Sequence, residues 1–288
     1  MAHPQAHDSI PTYLLYGERF VERPAGFVHI ETIAARSALH GWEIAPHRHE
    51  SNVQLLLVQD GAVALTIDGA LERLAGPCHV MIPAGAVHGF RFAPETRGHV
   101  LTISQDVAAR AGDAAPGLYA LLSAGARGRL SAEEARRTVS LADELLRLVE
   151  APLAPTPLLG ALAEALLHSL PVEAPADSQG DDRRLAVFRH LIETHLREHR
   201  PVRFYANSMG MTQRTLTRLC RRRLGCTPLE AINRRSILEA RRLLRYTTMP
   251  VHHVAAELGF LDPSYFSRFY MRMTGRRPQA ERLCGGGA

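Results

Sequence analysis

Residues 251–278 read VHHVAAELGFLDPSYFSRFYMRMTGRRP, and this stretch decides the fold. Val251, Val254, Ala255 and Leu258 recur at helical spacing, with Gly259 where a helix would stop. Asp262 is placed to cap a second helix, and Pro263 to fill its first position, where a missing N–H leaves no bond unmade. In that helix Phe266, Phe269 and Met273 mark an apolar face, while Ser264, Arg268 and Arg272 fall four apart on another. Two short helices across a glycine turn, the second cationic outward, predict a helix-turn-helix. The second helix has the size and charge to enter a DNA major groove.

The same pattern occurs earlier in the chain. At an offset of 50 residues Leu216 answers Phe266, Thr217 answers Ser267, Arg218 answers Arg268 and Leu219 answers Phe269. Arg222 and Arg272, Gly225 and Gly275, and Pro228 and Pro278 continue the match. Ala206 and Gly210 match Ala255 and Gly259 at one residue less, so the second copy has the longer turn. A repeated supersecondary unit is a specific signal, where a single helical hairpin is not.

Charge divides along the same line. All 34 basic residues are arginine; from residue 183 onward 21 of them face seven acids, a formal +14, while residues 1–182 hold 13 against 22 acids, a formal −9. That segregation points to a polyanionic partner for the C-terminal part alone. The four cysteines (78, 220, 226 and 284) form no CxxC pair and read as reduced structural residues. MAHPQAHDSI has no apolar leader core, and no run reaches 18 apolar residues, so a cytoplasmic protein without a membrane span is expected.

Residues 1–26 read as a proline-rich arm with a short extended piece at 13–16. Between residues 27 and 103, VHIETI, VQLLLVQ, AVALTI, HVMIP and HVLTI are separated by turns at Asp60-Gly61, Asp68-Gly69 and Ala84-Gly85, which predicts a small β-barrel or sandwich. A loop is expected near residues 112–116. A helix then opens at Ser131 with a capping box to Glu134 and carries Leu141, Leu145 and Leu148. A second, over 158–170, carries Leu159, Leu162, Leu166 and Leu170; the two helices pack on the barrel or pair with a second copy. Residues 171–182 read as a linker, 185–199 as a helix, and 228–246 as a long helix joining the two helix-turn-helix copies. The domains are thus 1–170, a linker at 171–183, and an all-α domain at 184–284.

Two helix-turn-helix units on a linking helix, with ARRLL, VAAELGF, PSYFSRFY and TGRRP, resemble the AraC/XylS family of bacterial transcription regulators over residues 185–282. The resemblance implies that Gln213–Leu224 and residues 263–273 are recognition helices. Arg214, Thr217 and Arg218, and Ser264, Ser267 and Arg268, would then face base edges, with Arg222 and Arg272 on phosphates. Cys220 stands where an aromatic is usual in that family.

The N-terminal part resembles the cupin-like sensor domain of the same family through His47-x-His49, Gln54, Gly61 and the PAGAVH segment with His88. Gln54 replaces the glutamate of metal-binding cupins, so no metal, no other cofactor and no catalytic residue is expected. IPTYLLYGE, IAARSALHGWEIAPHRH, VQLLLVQDG and VHGFRF further resemble AraC-type activators of 4-hydroxybenzoate catabolism. This implies a small aromatic carboxylate effector in a pocket lined by Arg36, Trp42, His47, His49, Gln54, His88 and Phe90. Promoter DNA, RNA polymerase and a second copy of the chain are the implied partners. A regulator sensing another metabolite or a metal, and a cupin enzyme tethered to DNA, are the competing readings.

Overall fold

A computed structural model describes residues 10–13, 26–49, 52–115, 118, 121–122, 125–151, 155–171 and 179–283. Thr12–Gln179 form one compact unit, and a second begins at Gly180. Most of the N-terminal arm, residues 172–178 of the linker and the tail with Cys284 lie outside the described residues.

The first unit runs β1 (Val28–Thr32), α1 (Ile33–Ser37), a single 3-10 turn (Ala38–His40), β2 (Glu43–His47), β3 (Asn52–Asp60), β4 (Ala62–Ile67), β5 (Ala70–Ala75), β6 (Cys78–Ile82), β7 (His88–Phe92), β8 (Arg97–Ser104), α2 (Gln105–Ala114), β9 (Ala126–Arg129), α3 (Ala132–Val149) and α4 (Thr156–His168). Strands β1-β8-β3-β6-β9 form one antiparallel sheet and β2-β7-β4-β5 another. Register places His29, Thr102, Gln54 and Ile82 in one row of the larger sheet and Ile30, Leu101, Leu55 and Met81 in the next. Alternate rows face opposite sides. Ile30, Leu55, Met81 and Leu101 meet α2, α3 and α4, while Leu56, Val58, Val80 and Val100 meet Val63, Leu65, Phe90 and Phe92 of the smaller sheet. Both faces of β3 are therefore buried, which is why VQLLLVQ is almost continuously apolar.

Ser131 and Glu134 make the expected capping box. Leu145, Leu166 and Leu170 are buried against the sheet, with Leu141, Leu159 and Leu162 packed beside them, so both leucine stripes seat on the barrel. Residues 112–114, expected in a loop, end helix α2, whose Val107, Ala108 and Ala111 are buried. Its N-cap, Ser104, makes no side-chain capping bond, and Asp106 lies in its first turn. Strand β9, ARGR, owes its conformation to pairing with β6 rather than to its own composition.

Two histidines on the helix-facing side of the larger sheet, His79 and His99, are buried. Nε2 of His99 lies 3.0 Å from Asp143 Oδ1 on α3. Burial holds both imidazoles below their ordinary pKa; the half-exposed Asp143 opposes this at His99 without overcoming it. The unfolded chain therefore binds more protons than the native one below about pH 6.5, and stability falls as pH falls through that window. Each ring contributes up to about 1.4 kcal/mol per pH unit there. Thermal unfolding between pH 7 and 5 should show this loss, and His99→Gln should make the slope shallower.

The second unit is helical: α5 (Gln179–Thr194), α6 (Val202–Ser208), α7 (Gln213–Leu224), α8 (Pro228–Tyr246), α9 (Val251–Glu257), α10 (Pro263–Thr274) and α11 (Pro278–Leu283). Helix α5 starts inside the segment read as linker and ends five residues before position 199. Asp181 in its first turn receives a hydrogen bond from Arg222 and sits 3.8 Å from Arg184. The repeat holds in space: Thr212 and Asp262 cap α7 and α10, Gly225 and Gly275 end them at φ 64° and 72°, and Gly210 and Gly259 turn the chain before each.

Candidate functional site

The interior of the two sheets carries the first candidate site. Glu31 and Ile33 from the β1 end, Arg36 from α1, Ile44 and His47 from β2, Gln54 from β3, Phe90 and Phe92 from β7, and Val100 and Thr102 from β8 line one cavity. Of the expected effector residues, Arg36, His47, Gln54 and Phe90 meet there. His49 and His88 stand beside them, their ring centroids 4.9 and 4.3 Å from that of His47. Trp42 does not line the cavity; it packs, half-buried, on the core between the sheets. The cavity measures ≈ 20 Å³, room for about one water.

Glu31 is the site residue the sequence did not announce. Arg36 donates through Nε to Glu31 Oε1 at 2.6 Å, and its terminal nitrogen pairs with the same oxygen. Both side chains are under a fifth exposed, at 16% and 18%. Burial pushes the Glu31 pKa up, but the nearby His29 and the hydrogen bonds and charge of Arg36 prevail, and the carboxyl lies below its usual range. The cue lay in strand alternation: Ile30 faces the helices, so its neighbours His29 and Glu31 face the interior.

The three histidines are held in one tautomer. Nδ1 of His47 bonds Ala45 O, Nδ1 of His88 bonds Ala86 O and Nδ1 of His49 bonds Tyr13 O, each at 2.9 Å. A carbonyl only accepts, so each Nδ1 carries the hydrogen and each Nε2 keeps a lone pair. Burial, then the neighbouring His49 and Arg36 charges, push the His47 pKa down to about 3. His49 is lowered too, by burial first. His47 and His49 thus stay neutral at physiological pH, and one ligand atom from each of the three rings lies within 4.8 Å of the others. A tetrahedral zinc site needs nitrogens about 3.4 Å apart, so the donor set fits a divalent metal after a small inward shift. Gln54 Nε2 lies 3.3 Å from both His49 Nε2 and Thr102 Oγ1, and Gln54 Oε1 is buried without a hydrogen-bond partner among the described residues.

The second candidate site is the outer face of α7 and α10. Leu216, Leu219 and Cys220 bury one side of α7, leaving Arg214, Arg218, Arg221 and Arg222 exposed. Phe266, Phe269 and Tyr270 do the same for α10 and leave Ser264, Arg268 and Arg272 exposed. Thr217 and Ser267, equivalent in the repeat, both donate back to the carbonyl four residues earlier, at 2.8 and 2.9 Å. Their hydroxyl hydrogens are thus engaged within the helix. Arg222 is tied to Asp181, Arg268 stands 3.6 Å from Asp262, and Arg272 lies over the Phe269 ring. Leu261 and Tyr265, which the charge pattern passed over, are exposed at the start of α10.

Between the two recognition helices runs α8, 19 residues and so about 28 Å long. Arg235 on α8 bonds Glu193 of α5 at 2.6 Å and Glu239 at 3.0 Å, which fastens the spacer to the helix that precedes the first helix-turn-helix. The spacer's length approaches the 34–36 Å of one DNA turn.

Comparison with known proteins agrees with both halves. Residues 27–171 match the AraC-like ligand binding domain family, and residues 205–283 match a helix-turn-helix domain family. The chain belongs to the AraC family. Among its AraC-family relatives, the HTH-type transcriptional activator RhaS of Escherichia fergusonii is 34% identical over 107 residues, 36% of this chain and 38% of that protein. The arabinose operon regulatory protein of Salmonella typhimurium is 31% identical over 108 residues, 38% of this chain and 37% of its own length. The chain thus spans under two-fifths of the curated relatives it matches. ToxT of Vibrio cholerae aligns with 91% of this chain and 99% of its own at 10% identity and a TM-score of 0.44. Among the described residues no helix is long and apolar enough to cross a membrane.

Proposed function

We propose that the protein is a ligand-responsive transcription regulator, an activator of genes for aromatic-acid catabolism whose effector is a small carboxylate of the 4-hydroxybenzoate kind. The observation that carries the regulatory part is the repeated cationic helix pair on its spacer. The effector part rests on Arg36, Phe90, Gln54 and Thr102 meeting around one cavity. These supply a cation for a carboxylate, a ring for stacking and polar partners for a phenol. The protein acts in the cytoplasm as a homodimer on promoter DNA, with RNA polymerase as the recruited partner and no catalysis of its own. Effector binding favours one arrangement of the chain and so shifts the population that occupies DNA.

On this reading Arg218, exposed on α7, contacts a guanine edge. Arg218→Ala should cost about 1–3 kcal/mol at one half-site and relax specificity at that base pair. Arg221→Ala, a phosphate contact, should weaken all sequences alike and reduce the salt slope by about 0.9. Measuring both variants over a salt series separates the roles. Millimolar 4-hydroxybenzoate should raise the melting temperature of the wild-type protein, and an unchanged melting temperature removes this effector.

A second reading is favoured by the three converging imidazole lone pairs: the sensor takes a divalent metal. His47, His49 and His88 would hold it, and Gln54, turned over, would present Oε1. Stoichiometric zinc should then stabilise the wild type but not His47→Ala; equal behaviour of the two ends this reading.

A further inference from the structure

We infer that Glu31 is a built-in competitor for the effector's carboxylate, so that this residue sets how strongly the sensor discriminates anionic from neutral ligands. The inference rests on the carboxylate-effector reading given above. Arg36 presents Nε and a terminal nitrogen on one edge of its guanidinium, the edge shaped to grip a carboxylate. Glu31 occupies that edge from within the same cavity wall, at 2.6 Å from Nε. That edge is taken, so an anionic ligand gains the Arg36 charge only by displacing Glu31 from it. His29 Nε2 stands 3.7 Å from the same Glu31 oxygen, on the same face of β1, and gives the displaced carboxylate a polar neighbour. A neutral ligand gains nothing from the exchange and leaves the pair intact.

Calorimetry on the full-length protein tests this with two probes, 4-hydroxybenzoate and the uncharged 4-hydroxybenzyl alcohol. Glu31→Gln removes the competing charge while keeping the side-chain volume. It should bind the benzoate about tenfold more tightly than wild type, with the alcohol held alike within about twofold. Glu31→Asp, whose shorter arm draws the carboxylate back from Arg36, should fall between, and it serves as the comparison if Glu31→Gln does not fold. A gain for both probes would mean a merely loosened pocket and would overturn the inference. Unchanged or weaker benzoate binding in both variants, beside measurable wild-type binding, overturns it too and leaves the effector reading standing. Loss of benzoate binding in all three forms sinks both.

Discussion

Glu281→Ala should cost about 3–5 kcal/mol of stability in the helical unit, the penalty for removing one partner of a buried ion pair. Glu281 is 1% exposed, on the six-residue helix α11. Its two oxygens accept from Arg245 Nε at 2.7 Å and from Tyr270 hydroxyl at 2.8 Å. One carboxylate thereby joins α11 to the end of the spacer α8 and to the core face of the recognition helix α10. Burial pushes its pKa up, but hydrogen bonds from Tyr270 and Arg245 outweigh this and leave it below the ordinary glutamate value. The contribution is therefore complete at neutral pH and fades as pH falls below about 4.5. Denaturant unfolding of wild type and variant at pH 7 measures the difference; a loss under about 1 kcal/mol would show the network to be dispensable. The first copy of the repeat has Cys220 where the second has Tyr270, and Ala231 where it has Glu281. No equivalent loss is available there. The buried Cys220 thiol, its pKa pushed up to about 12 by burial first, serves only as packing.

Gly259→Ala is the second large effect, at about 2–4 kcal/mol. Gly259 sits at φ +79°, where a side chain is already strained, and a Cβ there would fall 1.8 Å from the carbonyl oxygen of Arg197. Backbone cannot swing aside as a side-chain tip can, so either the turn or the 195–200 segment must move. That movement displaces α10 relative to α9, and DNA affinity should fall together with stability. Gly210 is the internal control. It occupies the same place in the first copy at φ +62°, but a Cβ there meets nothing within 4 Å. Gly210→Ala should cost only about 1 kcal/mol, the conformational part alone. Equal costs at the two glycines would contradict the close approach to Arg197.

What could be read from the sequence was what short-range chemistry writes. Asp262, Pro263 and Gly275 punctuate α10 within a dozen residues, and the offset repeat carries the same reading to α7 through Gly225 and Pro228. The strand character of β3 was equally plain, since burial on both faces leaves a short apolar run. Long-range effects were not legible. Nothing in the sequence marks the pairing of Arg222 with Asp181, 41 residues away. Strand β9 exists because β6 has an open edge. Glu31 and Arg36 lie only five residues apart, yet the turn from β1 into α1 is what folds one onto the other. The histidine set was visible as a motif, whereas its tautomers follow from carbonyls of Ala45, Ala86 and Tyr13 that only the folded chain supplies.

The most direct measurement of the central claim is selection of duplexes from a random library by the full-length protein at about 0.15 M salt. The expected winners carry two short conserved elements spaced about 10–10.5 base pairs centre to centre, one for each of α7 and α10. A selected pool that binds no better than the starting library would contradict the account.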